Sequence, residues 1–204
     1  MGDLILITGG VRCGKSRFAE QLADELGDER VVYIATAEAG DDEMQAKIAV
    51  HRASRPGSWA TLENAVDVAA AIDLASSHRE PPRAIIVDCL TMLVSNILLG
   101  RDGGDEETSA SRVDRQAEAI CKACERTRAT VIVVTNEVGW GVVPATSLGR
   151  RYRDLLGAAN QVLAAASKKV YLLVAGIAVD FKALAAATAV ASGAESSLDR
   201  EAAP

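Results

Sequence analysis

Short aliphatic runs alternate along the chain with longer stretches whose apolar positions recur at helical spacing. The first run, Leu4-Ile5-Leu6-Ile7, closes on Gly9-Gly10, and Ser16 to Leu26 follows with a helical pattern that stops at Gly27. That is a strand–loop–helix unit. Val31–Ala35, Ala84–Val87, Thr130–Val134 and Val170–Val174 have the length and β-branching of strands covered on both faces, which predicts a parallel sheet. Helical patterns over about Asp42–Ala53, Ala65–Ser76, Thr91–Leu99, Ala110–Arg128 and Ser147–Ala166 supply the crossovers that parallel strands require. The predicted fold class is α/β, a mostly parallel sheet flanked by helices.

Ser77–Arg83, with its two prolines, and Gly100–Thr108, rich in glycine and acid, read as loops. From about Lys182 the chain turns Ala-, Ser- and Glu-rich and loses its large apolar side chains. The expected division is therefore one folded domain over residues 1–182 and a flexible Ala-rich tail over 183–204, in which Ala183–Ala189 has the propensity for a short helix.

Composition narrows the function classes. A length of 204 residues suits one α/β core, and 49 % hydrophobic with 25 % charged residues excludes a disordered chain. With 22 Lys and Arg against 28 Asp and Glu, the net charge of -6 gives no pull toward a polyanion, so nucleic acid is not an expected partner. The longest uncharged stretch, Leu155–Ser167, falls well short of the ~20 apolar residues that span a bilayer. No basic leader precedes the first strand, which points to the cytoplasm. Four cysteines, Cys13, Cys89, Cys121 and Cys124, fit a reducing compartment as free thiols. Cys121-Lys-Ala-Cys124 has the CxxC spacing but lies in a helical pattern with no second cysteine or histidine pair, and reads as helix-face thiols.

The strongest chemical motif is Gly9-Gly10-Val11-Arg12-Cys13-Gly14-Lys15-Ser16, which satisfies GxxxxGK[ST] between the first strand and the first helix. Its glycines let the backbone curl so that successive N–H groups and the helix N-terminus face phosphate oxygens. Lys15 adds a mobile cation and Ser16 a hydroxyl facing Mg2+; a nucleoside triphosphate is the implied ligand. Ile85-Ile86-Val87-Asp88 ends a second apolar strand in a carboxylate, which suits Asp88 to organise the same Mg2+ or to cap the following helix.

Other strings accompany the phosphate loop: Tyr33-Ile34-Ala35-Thr36-Ala37, Asp41-Asp42-Glu43-Met44, His51-Arg52-Ala53-Ser54-Arg55-Pro56, Trp59, Glu63, and Thr135-Asn136-Glu137-Val138-Gly139-Trp140-Gly141-Val142-Val143-Pro144. Together they closely resemble the bifunctional adenosylcobinamide kinase and adenosylcobinamide-phosphate guanylyltransferase family of cobalamin biosynthesis, from Leu4 to about Phe181. The resemblance implies a RecA-like P-loop NTPase fold and a trimer. It also implies an enzyme that phosphorylates the aminopropanol end of adenosylcobinamide with ATP or GTP. GMP then passes from GTP, through a covalent histidine–GMP intermediate, onto the new phosphate, giving adenosylcobinamide-GDP and pyrophosphate.

Matched residue by residue, the resemblance puts GTP on Gly10, Val11, Arg12, Cys13, Gly14, Lys15, Ser16 and Arg17, on Thr36, Ala37 and Glu38, on His51, Arg52, Ala53 and Ser54, and on Glu63 and Asp88. His51 becomes the GMP acceptor and Lys15 the catalytic cation. Val50 precedes His51 where some relatives carry a second histidine, and Cys13 stands where the family commonly has serine. A neutral imidazole is available at pH 7 because its ordinary pKa is ~6.5, and Arg52 and Arg55 favour that form. The second histidine, His78, lies in a polar loop and reads as solvated surface. Two other functions stay open on the residues: a small-molecule P-loop kinase without guanylyl transfer, and a nucleotide-dependent switch.

Overall fold

A computed structural model describes residues 2–37, 49, 52, 55–101 and 109–188. Its strands are β1 (Leu4–Gly9), β2 (Val31–Ala35), β3 (Ala60–Glu63), β4 (Ala84–Asp88), β5 (Thr130–Val134), β6 (Lys169–Val174) and β7 (Ile177–Asp180). The helices are α1 (Lys15–Gly27), α2 (Val68–Ser76), α3 (Leu90–Leu98), α4 (Ser109–Arg126) and α5 (Ser147–Ala166), and residues 181–188 are helical as well. The seven strands form one sheet in the order β3-β2-β4-β5-β1-β6-β7, parallel throughout except for the β6–β7 hairpin.

The aliphatic runs form strands because both of their faces are covered. Leu4, Leu6, Ile85, Val87, Val131 and Val133 pack with α2, α3, α4 and α5 in one core. Ile5, Ile7, Tyr33, Ile86, Ile132 and Val134 turn the other way, onto Ala19 and Ala23 of α1. Cys121 and Cys124 are free thiols on α4, with Cys124 buried in the first core and Cys121 half-buried against it. The expectation of strands covered on both faces fails for β6, where Leu173 alone is fully buried, because only the short β7 lies beyond it.

Two strands escaped the hydrophobic pattern. β3 has only four residues at the sheet edge, too few for a periodic reading. β7 returns through Ala175 and Gly176, both at positive φ (50° and 82°), the two-residue turn whose twist matches a hairpin. The helical pattern at Asp42–Ala53 lies outside the described residues apart from positions 49 and 52, which are helical. Most of the Gly100–Thr108 loop and residues 189–204 lie outside them too. The helix at 181–188 is capped by Asp180, whose Oδ1 accepts from the backbone N–H of Lys182 (3.1 Å) and Ala183 (3.2 Å).

The register brings strand ends together. Ile7 of β1 pairs with Val134 of β5, which pairs with Asp88 of β4, which pairs with Ala35 of β2. The loops after four parallel strands therefore open on one edge of the sheet, where α/β folds hold their ligands.

Candidate active site

The phosphate loop begins where β1 can no longer carry side chains. A Cβ on Gly9 would lie 2.4 Å from the carbonyl oxygen of Leu173 on β6, and φ at Gly9 is +147°. Gly14 adopts a φ of 100°, in the left-handed region, and starts α1 with its N–H groups facing the loop. The Gly176 N–H of the β6–β7 turn donates to the Cys13 carbonyl at 2.9 Å and braces the far side of the curl.

Lys15 is 8 % exposed and sits at the floor. Its Nζ donates to the carbonyls of Gly9 (3.0 Å) and Gly10 (2.6 Å), with Cys13 Sγ at 3.7 Å. A cleft of about 430 Å³ opens here, lined by Val11 to Arg17 from the loop and α1, by Asp88 and Cys89 at the end of β4, and by Val134 at the end of β5 with Asn136 beyond it. The structure thus gathers Ser16 and Asp88, which are 72 positions apart in the chain, on one cavity. A larger cavity of about 550 Å³ lies at the opposite ends of β2 and β3, beside the exposed His78. Arg30, His78 and Arg79 line it beside Glu29 and Glu80, and the phosphate loop does not reach it.

Asp88 is held from β2. The Tyr33 hydroxyl donates to Asp88 Oδ2, and the Arg55 guanidinium lies 3.2 Å above the Tyr33 ring centre. Burial and the Asp88 carboxylate push the Tyr33 phenol well above its ordinary range, so Tyr33 acts as a donor only. Thr36, fully buried, ties the ends of β2 and β4 together. Its Oγ1 accepts from the Cys89 N–H and donates to the Cys89 carbonyl, both at 2.7 Å, while its N–H donates to the Asp88 carbonyl at 3.1 Å. The buried amide of Asn96 on α3 donates to the carbonyls of Thr36 and Ala65, each at 2.9 Å, and fixes that corner.

Arg52 and Glu63 form a separate group, an exposed pair at 2.5 Å, and neither lines the phosphate cleft. Glu63 ends β3, four strand positions from β1, or about 19 Å across the sheet at ~4.8 Å per strand. Ala37 follows Thr36 at the end of β2 and is partly exposed. Glu38, His51, Ala53 and Ser54 lie outside the described residues.

Asn160 and Thr91, which belong to no motif, also shape the cleft by holding Thr135 and Asn136. Thr135 Oγ1 donates to Asn160 Oδ1 (2.8 Å), and the Asn160 amide donates to the Asn136 carbonyl (3.1 Å). The Asn136 N–H in turn donates to Thr91 Oγ1 at 2.9 Å. This chain locks the start of the β5–α5 loop beside the phosphate loop. An asparagine in the middle of a helix gives no local sign of such a role, whereas a buried polar group needing a partner does.

The donor set suits a magnesium ion that arrives with its nucleotide. Ser16 and Asp88 share the cleft, and no cluster of three or more His, Cys, Asp or Glu able to hold a metal by themselves occurs among the described residues. Mg2+ takes few protein ligands and draws the rest from phosphates and water.

The thiols differ in reactivity. Burial pushes Cys89 and Cys124 up to about 12 and raises Cys121, so these three stay protonated near neutrality. Cys13 is partly exposed in the cleft beside the Lys15 ammonium. Iodoacetamide at pH 7.5 is expected to alkylate Cys13 first, at least about tenfold faster than the other three, with GTP giving protection. Peptide mass mapping with and without GTP measures this, and Cys13→Ser should keep activity and resist inactivation.

Fold and loop geometry, with Ser16 and Asp88 on one cleft, define a P-loop nucleotide-binding α/β protein. The ATPase domain of G40P shares this fold with a TM-score of 0.51 at 13 % identity, covering 84 % of this chain and 69 % of that one. The family model described as cobinamide kinase / cobinamide phosphate guanyltransferase matches residues 5–181, and the chain belongs to that family. It is 40 % identical over 186 residues to the bifunctional adenosylcobalamin biosynthesis protein CobU of Escherichia coli (strain K12), covering 88 % of this chain and 99 % of that protein. The protein of the same name from Salmonella typhimurium (strain LT2) is 43 % identical over 188 residues, with coverage of 88 % and 99 %. The corresponding CobP of Pseudomonas aeruginosa is 44 % identical over 182 residues, covering 89 % and 98 %.

Proposed function

We propose that this chain phosphorylates adenosylcobinamide with ATP or GTP and then transfers GMP from GTP onto the new phosphate. The supporting observation is that the family match runs across nearly all the described chain and includes a phosphate loop with Lys15, Ser16 and Asp88 on one cleft. In the kinase step the acceptor hydroxyl attacks the γ-phosphorus, and the nucleoside diphosphate leaves while the loop N–H groups and Lys15 stabilise its charge. Ser16 and Asp88 would hold Mg2+, which when bound offsets phosphate charge. Tyr33, by donating to Asp88, keeps that carboxylate aimed at the cleft.

In the guanylyl step a ring nitrogen of neutral His51 forms a bond to the α-phosphorus of GTP as the bond to pyrophosphate breaks. An oxygen of adenosylcobinamide phosphate then attacks the same phosphorus and releases the imidazole. The Arg52–Glu63 pair is exposed on both sides and worth roughly 0–1 kcal/mol, so Arg52 is readily available to nucleotide. No helix among the described residues is long and apolar enough to cross a membrane, and we read the protein as a cytoplasmic homo-oligomer, a trimer by its resemblance.

Incubation with adenosylcobinamide, ATP, GTP and Mg2+, followed by mass identification of products, tests the reading. The GDP derivative is expected. The phosphate alone would mean a kinase without transfer, and the absence of both products would overturn the proposal.

A further inference from the structure

Three neighbouring loops at the ligand-binding edge carry an unusual amount of apolar surface. Strands β5, β1 and β6 are adjacent, so the 135–146 loop, the phosphate loop and the 175–176 turn stand side by side. Trp140 is 76 % exposed, Val142 96 %, Val143 62 %, and Val11 on the phosphate loop 80 %. Of the two tryptophans the other, Trp59, is buried, so the chain keeps one indole for its core and displays the second on the loop that follows Asn136, a lining residue of the phosphate cleft. Exposed apolar groups clustered at one place mark an interaction site.

The loop that displays them is braced at both ends. The Glu137 N–H donates to the Gly9 carbonyl at 3.1 Å, and Glu137 Oε1 accepts from the Gly139 N–H at 3.1 Å. At the far end Arg150 Nη1 donates to the carbonyls of Pro144 and Ala145, both at 2.9 Å, and Thr146 Oγ1 caps α5 through the Gly149 N–H. The apolar tip is held out against water between fixed ends, a pre-organised surface.

We propose that the Trp140–Val143 loop is the platform for the corrinoid: the exposed Trp140, Val142 and Val143 take an apolar face of the adenosylcobinamide macrocycle while its aminopropanol arm reaches the phosphate cleft. This rests on the function proposed above. The surface is continuous with that cleft, since Asn136 at its root and Val11 opposite both line it. Triphosphate oxygens have no use for an indole and two valines. Of the other positions matched to GTP, Thr36, Arg52 and Glu63 stand on the β2 and β3 side, away from this loop. The acceptor is the bulky partner in the reaction, and only its arm must enter the cleft.

Equilibrium dialysis of adenosylcobinamide against the folded protein, read by corrinoid absorbance and needing no turnover, tests the platform. Trp140→Ala is expected to weaken corrinoid binding about tenfold and Val142→Ser about threefold, in keeping with loss of an aromatic face and of a smaller apolar contact. Trp140→Phe should restore most of the affinity. GTP affinity and covalent uptake of α-labelled GMP should stay within about twofold of wild type in all three. Both side chains are exposed, and light scattering and circular dichroism on the same samples report assembly and fold.

Unchanged corrinoid binding in both Trp140→Ala and Val142→Ser overturns the platform. A loss of GTP affinity instead would make the indole a stacking surface for the base, and a fall in assembly mass would make the loop a contact between copies of the chain; either result overturns it. Wild-type protein that binds the corrinoid but never phosphorylates it would sink the proposed function and leave the platform standing.

Discussion

Lys15→Ala is expected to slow both half-reactions by about 10²–10³-fold in kcat, the loss that follows removal of one pre-organised donor from developing charge. The reasoning is that one cradle serves two leaving groups. In phosphorylation it holds the departing nucleoside diphosphate, and in guanylylation the departing pyrophosphate, so the same cation stabilises both transition states. Lys15 lies at the floor of the cleft with its Nζ on the Gly9 and Gly10 carbonyls, and no second lysine among the described residues lines that cleft. Initial rates of formation of the phosphate and GDP derivatives, at saturating nucleotide, check this. A full rate in either assay contradicts it. Because the side chain is buried, thermal unfolding of the variant accompanies the rates and separates a damaged cradle from a damaged fold.

His51→Ala is expected to divide the two reactions. Wild-type protein treated with GTP labelled at the α-phosphate should keep the label through denaturation, and γ-labelled GTP should leave none. The bond should be lost in acid, where the protonated nitrogen departs, and should survive mild alkali, which cleaves a carboxyl phosphate. The alanine variant should take up no label and form no GDP derivative. Phosphorylation of adenosylcobinamide should continue at a measurable rate, since that transfer uses no covalent enzyme. Label persisting on the variant would place the nucleophile on another residue. Loss of nucleotide binding with loss of label would make His51 structural.

The alternation of aliphatic runs with helical patterns determined the α/β class, and both regularities are local. Strand Leu4–Gly9, the turn chemistry of Gly9 and Gly14, and helix Lys15–Gly27 follow from residues within one stretch of chain, and so does the phosphate loop they create. Asp88 was legible for the same reason, as a carboxylate closing an aliphatic run. Helix Ser147–Ala166 matches its pattern at both ends because Thr146 caps its start and Ser167 its end, both locally. Strands β3 and β7 were not legible, being short and at or beside an edge, where burial writes no long apolar run.

Strand order belonged to the tertiary structure alone. It inserts β5 between β1 and β4, brings Ser16 and Asp88 onto one cleft, and sets the Tyr33 hydroxyl on Asp88 across 55 positions of sequence. It likewise decided that the Thr36 hydroxyl is spent on Cys89, and that Trp140 is exposed to water while Trp59 is buried. Composition and spacing report which side chains one segment can offer. Which of them meet depends on non-local pairing of strands, whose order a pattern of neighbouring residues does not encode.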